Sequence, residues 1–204
     1  MSHILNDNVL QIIKNIRIEI EILLSDIEVC QLYEVAKKTE KIEGDIAEVG
    51  VYQGGSAKII REALKNKPFH LFDTFKGLPS LGKLDESIEL KRGIYKYRLK
   101  DVETNLKDYT NIYYYPGIFP FTSIPIRTKQ FSFVHLDCDL YKSTISALKF
   151  FYPRLNKGGI ILSHDYPNLS GVKRAFDEFF SDKKEIIIEL PTCSQCVVVK
   201  IDNI

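Results

Sequence analysis

Four residues carry the clearest chemical signal in the chain: Asp137 and Asp139, and the adjacent His164 and Asp165. Each pair directly follows an apolar run, Phe131-Ser-Phe-Val-His-Leu136 in one case and Ile160-Ile-Leu-Ser163 in the other. Side chains at the carboxyl ends of parallel strands share one edge of a sheet, which is where open α/β sheets bind ligands. Acids gathered there repel one another unless a proton or a cation intervenes. Asp137, His164 and Asp165 can hold a divalent metal; the carboxylates favour Mg2+, and the imidazole shifts preference toward Mn2+ or another transition metal. Such a metal lowers the pKa of a substrate hydroxyl, and Asp139 or His164 can accept the proton as the catalytic group. Acids that merely cap loops and helix starts satisfy the same spacing. His135, in mid-strand, reads as a core residue with satisfied nitrogens, while His3 and His70 show no partner signal.

The second constellation is Ile46-Ala-Glu-Val-Gly-Val-Tyr-Gln-Gly-Gly-Ser56. A short β-branched run ends in paired glycines and leads into Ala57-Lys-Ile-Ile-Arg-Glu-Ala-Leu64, which has helical spacing: strand, tight turn, helix. The helix start offers unpaired N–H groups to a ligand. It is not the dinucleotide fingerprint, because the middle glycine of G-x-G-x-x-G falls on Tyr52, whose side chain obstructs a pyrophosphate. Glu48-x-Gly50-x-x-x-Gly54 suits a ligand with a nucleoside end, an amino-acid end and no phosphate, such as S-adenosylmethionine; an ordinary glycine turn is the alternative. Asp73 ends the next apolar run, 25 residues beyond Glu48, where it can accept ribose hydroxyls or cap the following turn.

The remaining patterns supply the scaffold. Isoleucine and leucine at positions 10, 12, 13, 16, 20, 23 and 24 predict one helix over residues 9–24, and Asp26 can cap a second through Ala36. Two helices ahead of the first strand cover the site or an oligomer interface, or simply pack on the sheet. A strand and its turn are expected over 111–120 and further strands over 131–137, 160–163, 185–190 and 196–201, with helices over 143–152 and 171–180. Seven strands result, with helices between the first five and an antiparallel pair at the end. The expected fold is a three-layer α/β sandwich, a Rossmann-like, mostly parallel sheet with a C-terminal antiparallel hairpin. One domain spans 1–204, with residues 1–40 as a helical cap and 41–204 as the core. The charged, tyrosine-bearing stretch 81–107 is the least regular and reads as a lid or a solvated surface.

Composition narrows the function classes. At 204 residues and 45% hydrophobic the chain can bury one sizeable core, and a formal charge of +1 gives no field that favours nucleic acid or acidic lipid. No apolar run reaches membrane-spanning length and the start lacks a signal-peptide layout, so a cytoplasmic protein is expected. Four scattered cysteines exclude a secreted disulfide framework, and Cys193-Ser-Gln-Cys196 lacks a second pair for zinc and reads as incidental.

Taken in order, Glu48-Val-Gly-Val-Tyr-Gln-Gly-Gly-Ser56, Phe72-Asp-Thr-Phe-Lys-Gly-Leu-Pro79, Leu136-Asp-Cys-Asp-Leu-Tyr-Lys-Ser-Thr144, Tyr152-Pro-Arg-Leu-Asn-Lys-Gly-Gly159 and Asp165-Tyr166 resemble the motifs of the TylF-like macrocin O-methyltransferases. The resemblance implies a methyltransferase that uses S-adenosylmethionine and magnesium on a hydroxylated small molecule, mainly a sugar. By position it implies Glu48, Gly50, Tyr52 and Ser56 beside the methionine end, Asp73 at the ribose and Gly117 and Phe119 toward the adenine. It further implies Asp137 beside both cofactor and metal, Asp165 as a second ligand and Asp139 as general base. His164 departs from the Asp that usually opens an Asp-Asp-Tyr triplet, which puts metal identity and use in question. The alternatives are a non-catalytic or metal-independent S-adenosylmethionine binder and, from another class, an NAD-dependent oxidoreductase. The apolar N-terminal helix favours a dimer or higher oligomer.

Overall fold

The computed structural model describes residues 7–85, 90–192 and 194–202. Its elements are, in chain order, α1 (Asp7–Glu19), α2 (Asp26–Lys38), β1 (Asp45–Val49), α3 (Gly55–Ala63), β2 (Phe69–Asp73), α4 (Leu99–Asn105) and β3 (Ile112–Pro116). There follow β4 (Phe131–Leu136), α5 (Tyr141–Phe151), β5 (Leu155–His164), α6 (Ser170–Phe180), β6 (Ile188–Glu189) and β7 (Gln195–Val199). The sheet order is β3-β2-β1-β4-β5-β7-β6. The first five strands are parallel, β7 runs antiparallel to β5, and β6 antiparallel to β7. The chain works outward from β1 to β3, then returns to the other side of β1 as β4. That reversal leaves a crevice beyond the carboxyl ends of β1 and β4, where an open sheet of this kind receives its ligand.

Layers on both faces explain why the strands read as continuous apolar runs rather than alternating ones; all six residues of β4 are buried. Ile46, Phe133 and Leu162 point into a core closed by Val9 and Ile13 of α1, Val29 and Leu32 of α2, and Ile59 and Ile60 of α3. Ala47, Val134, Ile161 and Val198 point the other way, onto Leu148 and Phe151 of α5 and Phe176 of α6. Arg61 is buried at the end of α3, where its guanidinium donates to the carbonyls of Leu64, Lys65, Lys67 and Asn111. It thereby satisfies helix-end acceptors that would otherwise be buried without partners.

The seven-stranded sandwich and its terminal hairpin match expectation, while several local readings change. β5 begins at Leu155 rather than Ile160, and β6 is only Ile188–Glu189 rather than 185–190. The first helix stops at Glu19 instead of Leu24, because Arg17 donates to the carbonyls of Ile22 and Leu24 at 2.7 and 2.5 Å and holds that segment extended. Ser25, not Asp26, caps α2, in a reciprocal pairing with Glu28; Asp26 pairs with Arg17 instead. The stretch 81–107 contains α4, which buries Val102 and is followed by buried Leu106. Between β3 and β4 there is only a 3₁₀ turn, Phe121–Ile126, with Pro125 inside it. The apolar stripe of α1 is consumed within its own chain, while Ile18, Leu23 and Ile27 stay exposed. No helix among the described residues is long and apolar enough to cross a membrane. Cys193 of the CxxC pair and His3 lie outside the described residues; Cys196 is buried in β7.

Phe151 is fully buried with its ring 5.0 Å from Phe131 and Phe150 and 5.4 Å from Phe119, so it joins β4, α5 and the turn beyond β3. Phe151→Ala is expected to destabilise the chain by about 3–5 kcal/mol in urea unfolding, with the slope of the transition unchanged.

Candidate active site

Two strand tips are pressed together to make the site. Val49 O accepts from Asp137 N at 2.9 Å, and Gly50 follows at φ +91°. A Cβ on residue 50 would sit 1.7 Å from the Asp137 carbonyl oxygen, so only glycine lets the two turns approach this closely. Asp73 then fixes the turn after β1. One carboxylate oxygen accepts from Val51 N at 2.8 Å and Tyr52 N at 3.1 Å, and the other accepts from Phe75 N at 2.7 Å. The turn-capping role weighed from sequence is therefore present. A carboxylate has about four acceptor positions, which leaves room for a ligand hydroxyl on the same group.

A cavity of about 320 Å³ lies over this junction. Gly50, Tyr52, Ser56, Asp73, Gly117 and Phe119 line one part of it, and Asp137, Asp139, His164 and Asp165 another. Ten of the eleven sequence-selected site residues thus meet in one cavity. The eleventh, Glu48, is fully buried below it, with Oε1 2.8 Å from His135 Nδ1. Glu48 Oε2 and His135 Nε2 have no hydrogen-bond partner among the described residues, so His135 is only half satisfied. His70, by contrast, has both nitrogens engaged, by Asp45 and the Tyr115 hydroxyl, each at 3.0 Å.

The N-terminal segment and the stretch beyond β2, both weighed from sequence as covers, contribute to the lining of its mouth. Glu21, Ile22, Leu23 and Leu24 line the cavity from the extended stretch after α1. The stretch is latched through Glu21 Oε2, which accepts from the Tyr52 hydroxyl at 3.0 Å and from Gln53 Nε2 at 2.9 Å. Tyr52 thus puts a ring and a latch where a dinucleotide site would have bare backbone. Leu78, Pro79, Leu90 and Tyr95 also line the cavity, with the Tyr95 ring 5.8 Å from that of Tyr52. Their stretch is tied down by Asp85, which accepts from Gly82 N at 2.7 Å and Tyr141 N at 2.6 Å. Residues 86–89 of the stretch 81–107 lie outside the described residues.

At the far end, donor atoms of Asp137, His164 and Asp165 all lie within 4.8 Å of one another, so these residues can take a divalent ion. His164 Nδ1 is 2.9 Å from Asp165 and 3.5 Å from Asp137, and Nε2 is 3.3 Å from Glu28 of α2. Burial alone would lower the imidazole's pKa, but the charge of Asp137 and the bonds to Asp165 and Glu28 raise it to about 11. Burial pushes the Asp139 carboxyl well up, and the negative charges of Asp137 and Asp165 push it the same way. A carboxylate so perturbed is a stronger proton acceptor than an ordinary one. Asp139 and Asp165 both sit at positive φ, 59° and 62°, conformations that Asp tolerates better than most residues. Burial raises the Cys138 thiol, which removes it as a nucleophile at neutral pH.

An open, mostly parallel sheet with a crevice at the strand reversal defines a doubly wound α/β protein. The profile of the macrocin O-methyltransferase (TylF) family matches residues 25–198, and the chain belongs to that family. It is 29% identical over 140 residues to the 8-demethyl-8-(2,3-dimethoxy-alpha-L-rhamnosyl)-tetracenomycin-C 4'-O-methyltransferase of Streptomyces olivaceus, covering 61% of this chain and 54% of that one. It is 28% identical over 166 residues to the demethyldecarbamoylnovobiocin O-methyltransferase of Streptomyces niveus, covering 74% and 63%. The chain thus spans less than two thirds of the length of these curated relatives. The solved structure of the O-methyltransferase NovP superposes with a TM-score of 0.71 at 22% identity, over 84% of this chain and 80% of that one, and so shares the fold.

The buried pair below the cavity gives a pH signature. Burial raises Glu48 to about 8, with the Asp73 charge adding to it, and burial lowers His135 to about 4. A carboxyl raised above its unfolded value stabilises the fold while protonated, and that contribution drains away as pH climbs from about 4.5 to about 8. The lowered His135 has the opposite slope between about 4 and 6.5, so the Glu48 effect stands alone above 6.5. The stability of the native protein relative to Glu48→Gln is expected to fall by about 1.4 kcal/mol per pH unit across the Glu48 window. Urea unfolding at pH 5, 6.5 and 8 measures it, and a pH-independent difference would show that Glu48 is ionised throughout.

Proposed function

We propose that the chain transfers a methyl group from S-adenosylmethionine to a hydroxyl of a sugar or a similar hydroxylated small molecule. The observation that carries this reading is the single cavity that joins the Gly50–Ser56 turn and Asp73 to the acids of the β4 and β5 tips. In the proposed roles Glu48, Gly50, Tyr52 and Ser56 attend the methionine end, Asp73 the ribose, and Gly117 and Phe119 the adenine. S-adenosylmethionine supplies an electrophilic methyl group on sulfur. The acceptor oxygen forms the new bond to that carbon as the carbon–sulfur bond breaks, and Asp139 takes the hydroxyl proton. In an in-line displacement the chain's work is alignment and proton removal. Asp137, His164 and Asp165 would hold Mg2+ or Mn2+, whose part is to acidify the acceptor hydroxyl.

A sugar acceptor is suggested by the tetracenomycin relative, whose name specifies a 4'-O-methylation on a rhamnosyl compound. The charged lining is acidic apart from His164, with Glu21, Asp73, Asp137, Asp139 and Asp165, which disfavours an anionic acceptor. A metal-independent S-adenosylmethionine binder is the second reading, favoured by the carboxylates facing both nitrogens of His164.

Calorimetric titration with S-adenosylhomocysteine is expected to show one site per chain, and absence of binding would overturn the proposal. Asp139→Asn is expected to keep that binding while turnover on a glycoside acceptor falls about 10²–10⁴-fold; unchanged turnover would remove Asp139 as the base.

A further inference from the structure

We infer that Glu28 is a positioning residue for the metal site, acting as the outer carboxylate that orients His164. The inference rests on the metal-assisted reading above and extends it to a residue in the N-terminal helices.

An imidazole can rotate and can present either nitrogen, so a histidine in a ligand set needs its second nitrogen held. A carboxylate that accepts from that nitrogen fixes both the tautomer and the ring plane. His164 Nε2 faces Glu28 Oε1 at 3.3 Å, which leaves Nδ1 as the nitrogen turned toward Asp137 and Asp165. An aspartate at position 164 would need no such partner; the histidine does.

Glu28 is itself restrained from several sides. Its Oε2 accepts from Ser25 N at 2.6 Å, and its Oε1 accepts from the Ser194 hydroxyl of the turn before β7. The Glu28 backbone carbonyl accepts from Gln195 Nε2 at 3.4 Å. The binding of His164, Ser194 and Ser25 holds the Glu28 carboxyl well below its ordinary range. The Glu28 side chain is 12% exposed and that of His164 is 17% exposed, so water competes little for the bond.

The test separates orientation of His164 from the capping of α2, in which Glu28 also takes part. Mn2+ binding is measured on the protein without acceptor, by the loss of the free-ion paramagnetic resonance signal. Glu28→Ala is expected to weaken Mn2+ binding about 10–100-fold and to lower kcat, with S-adenosylhomocysteine affinity unchanged. Glu28→Gln, whose amide oxygen still accepts from Nε2, is expected to recover most of the Mn2+ affinity. Ser25→Ala breaks the same helix cap without touching His164, and is expected to lower the melting temperature while keeping wild-type Mn2+ affinity.

Wild-type Mn2+ affinity in Glu28→Ala would overturn the inference, as would a Glu28→Gln loss equal to that of Glu28→Ala. An equal loss in Ser25→Ala would do the same, because it would assign the effect to the helix. If the native protein binds S-adenosylhomocysteine but no Mn2+, the inference falls and the methyltransferase proposal stands. If it binds neither, both fall.

Discussion

The close approach of β1 and β4 at Gly50 and Asp137 is the constraint on which the rest of the site depends. Because the two tips touch through backbone, one turn and one acid-bearing strand end become neighbouring walls of the same crevice. Asp73 then holds the turn from its other side with two amide bonds, so its shape is set before any ligand arrives. Preorganised donors of this kind need no rearrangement when a ligand binds.

Electrostatics is the second organising force. The sheet reversal brings Asp137, Asp139 and Asp165 to one place, which costs energy unless positive charge joins them. With no ion bound, a protonated His164 supplies that charge among the described residues, tied to a carboxylate from a separate helix; a bound divalent ion would supply it instead, on the neutral imidazole. The chain thereby links its N-terminal helices to the acid cluster through a single side chain. A buried charged group that is fully partnered raises the penalty for every arrangement that separates it from those partners.

Much of this was legible in the sequence, for reasons that are local. Apolar runs ending in acids gave β2, β4 and β5 with their tips correct, since a doubly covered strand has a composition that little else shares. The family motifs, read in order, placed the cleft residues. What escaped was decided by distant partners. The apolar period of α1 continues past Glu19, yet Arg17 and the Glu21 latch pull that segment out of the helix and over the cavity. His70 found its partners on the strands either side, and Glu28 found His164 across 136 positions of sequence. The Ser25-x-x-Glu28 capping pattern was open to inspection, but it announces a helix start and says nothing of a histidine beyond it. The segment 81–107 hid α4 because a seven-residue helix carries too few turns to establish a period.

The contacts of Glu28 with Ser194 and Gln195 close a loop that takes in nearly the whole chain, at separations of 166 and 167 residues. Contacts of that range come at the highest loop-closure entropy and depend on intervening structure to bring their ends together. The hydrophobic face of α2 packs on α3, close in sequence, whereas its Glu28 is held by Ser194 and Gln195 at the other end of the described chain. The cavity lining is thus assembled from pieces near in sequence, with Glu21 held by Tyr52 and Gln53 at separations of 31 and 32 residues, whereas the carboxylate behind His164 is held by the two ends of the described chain.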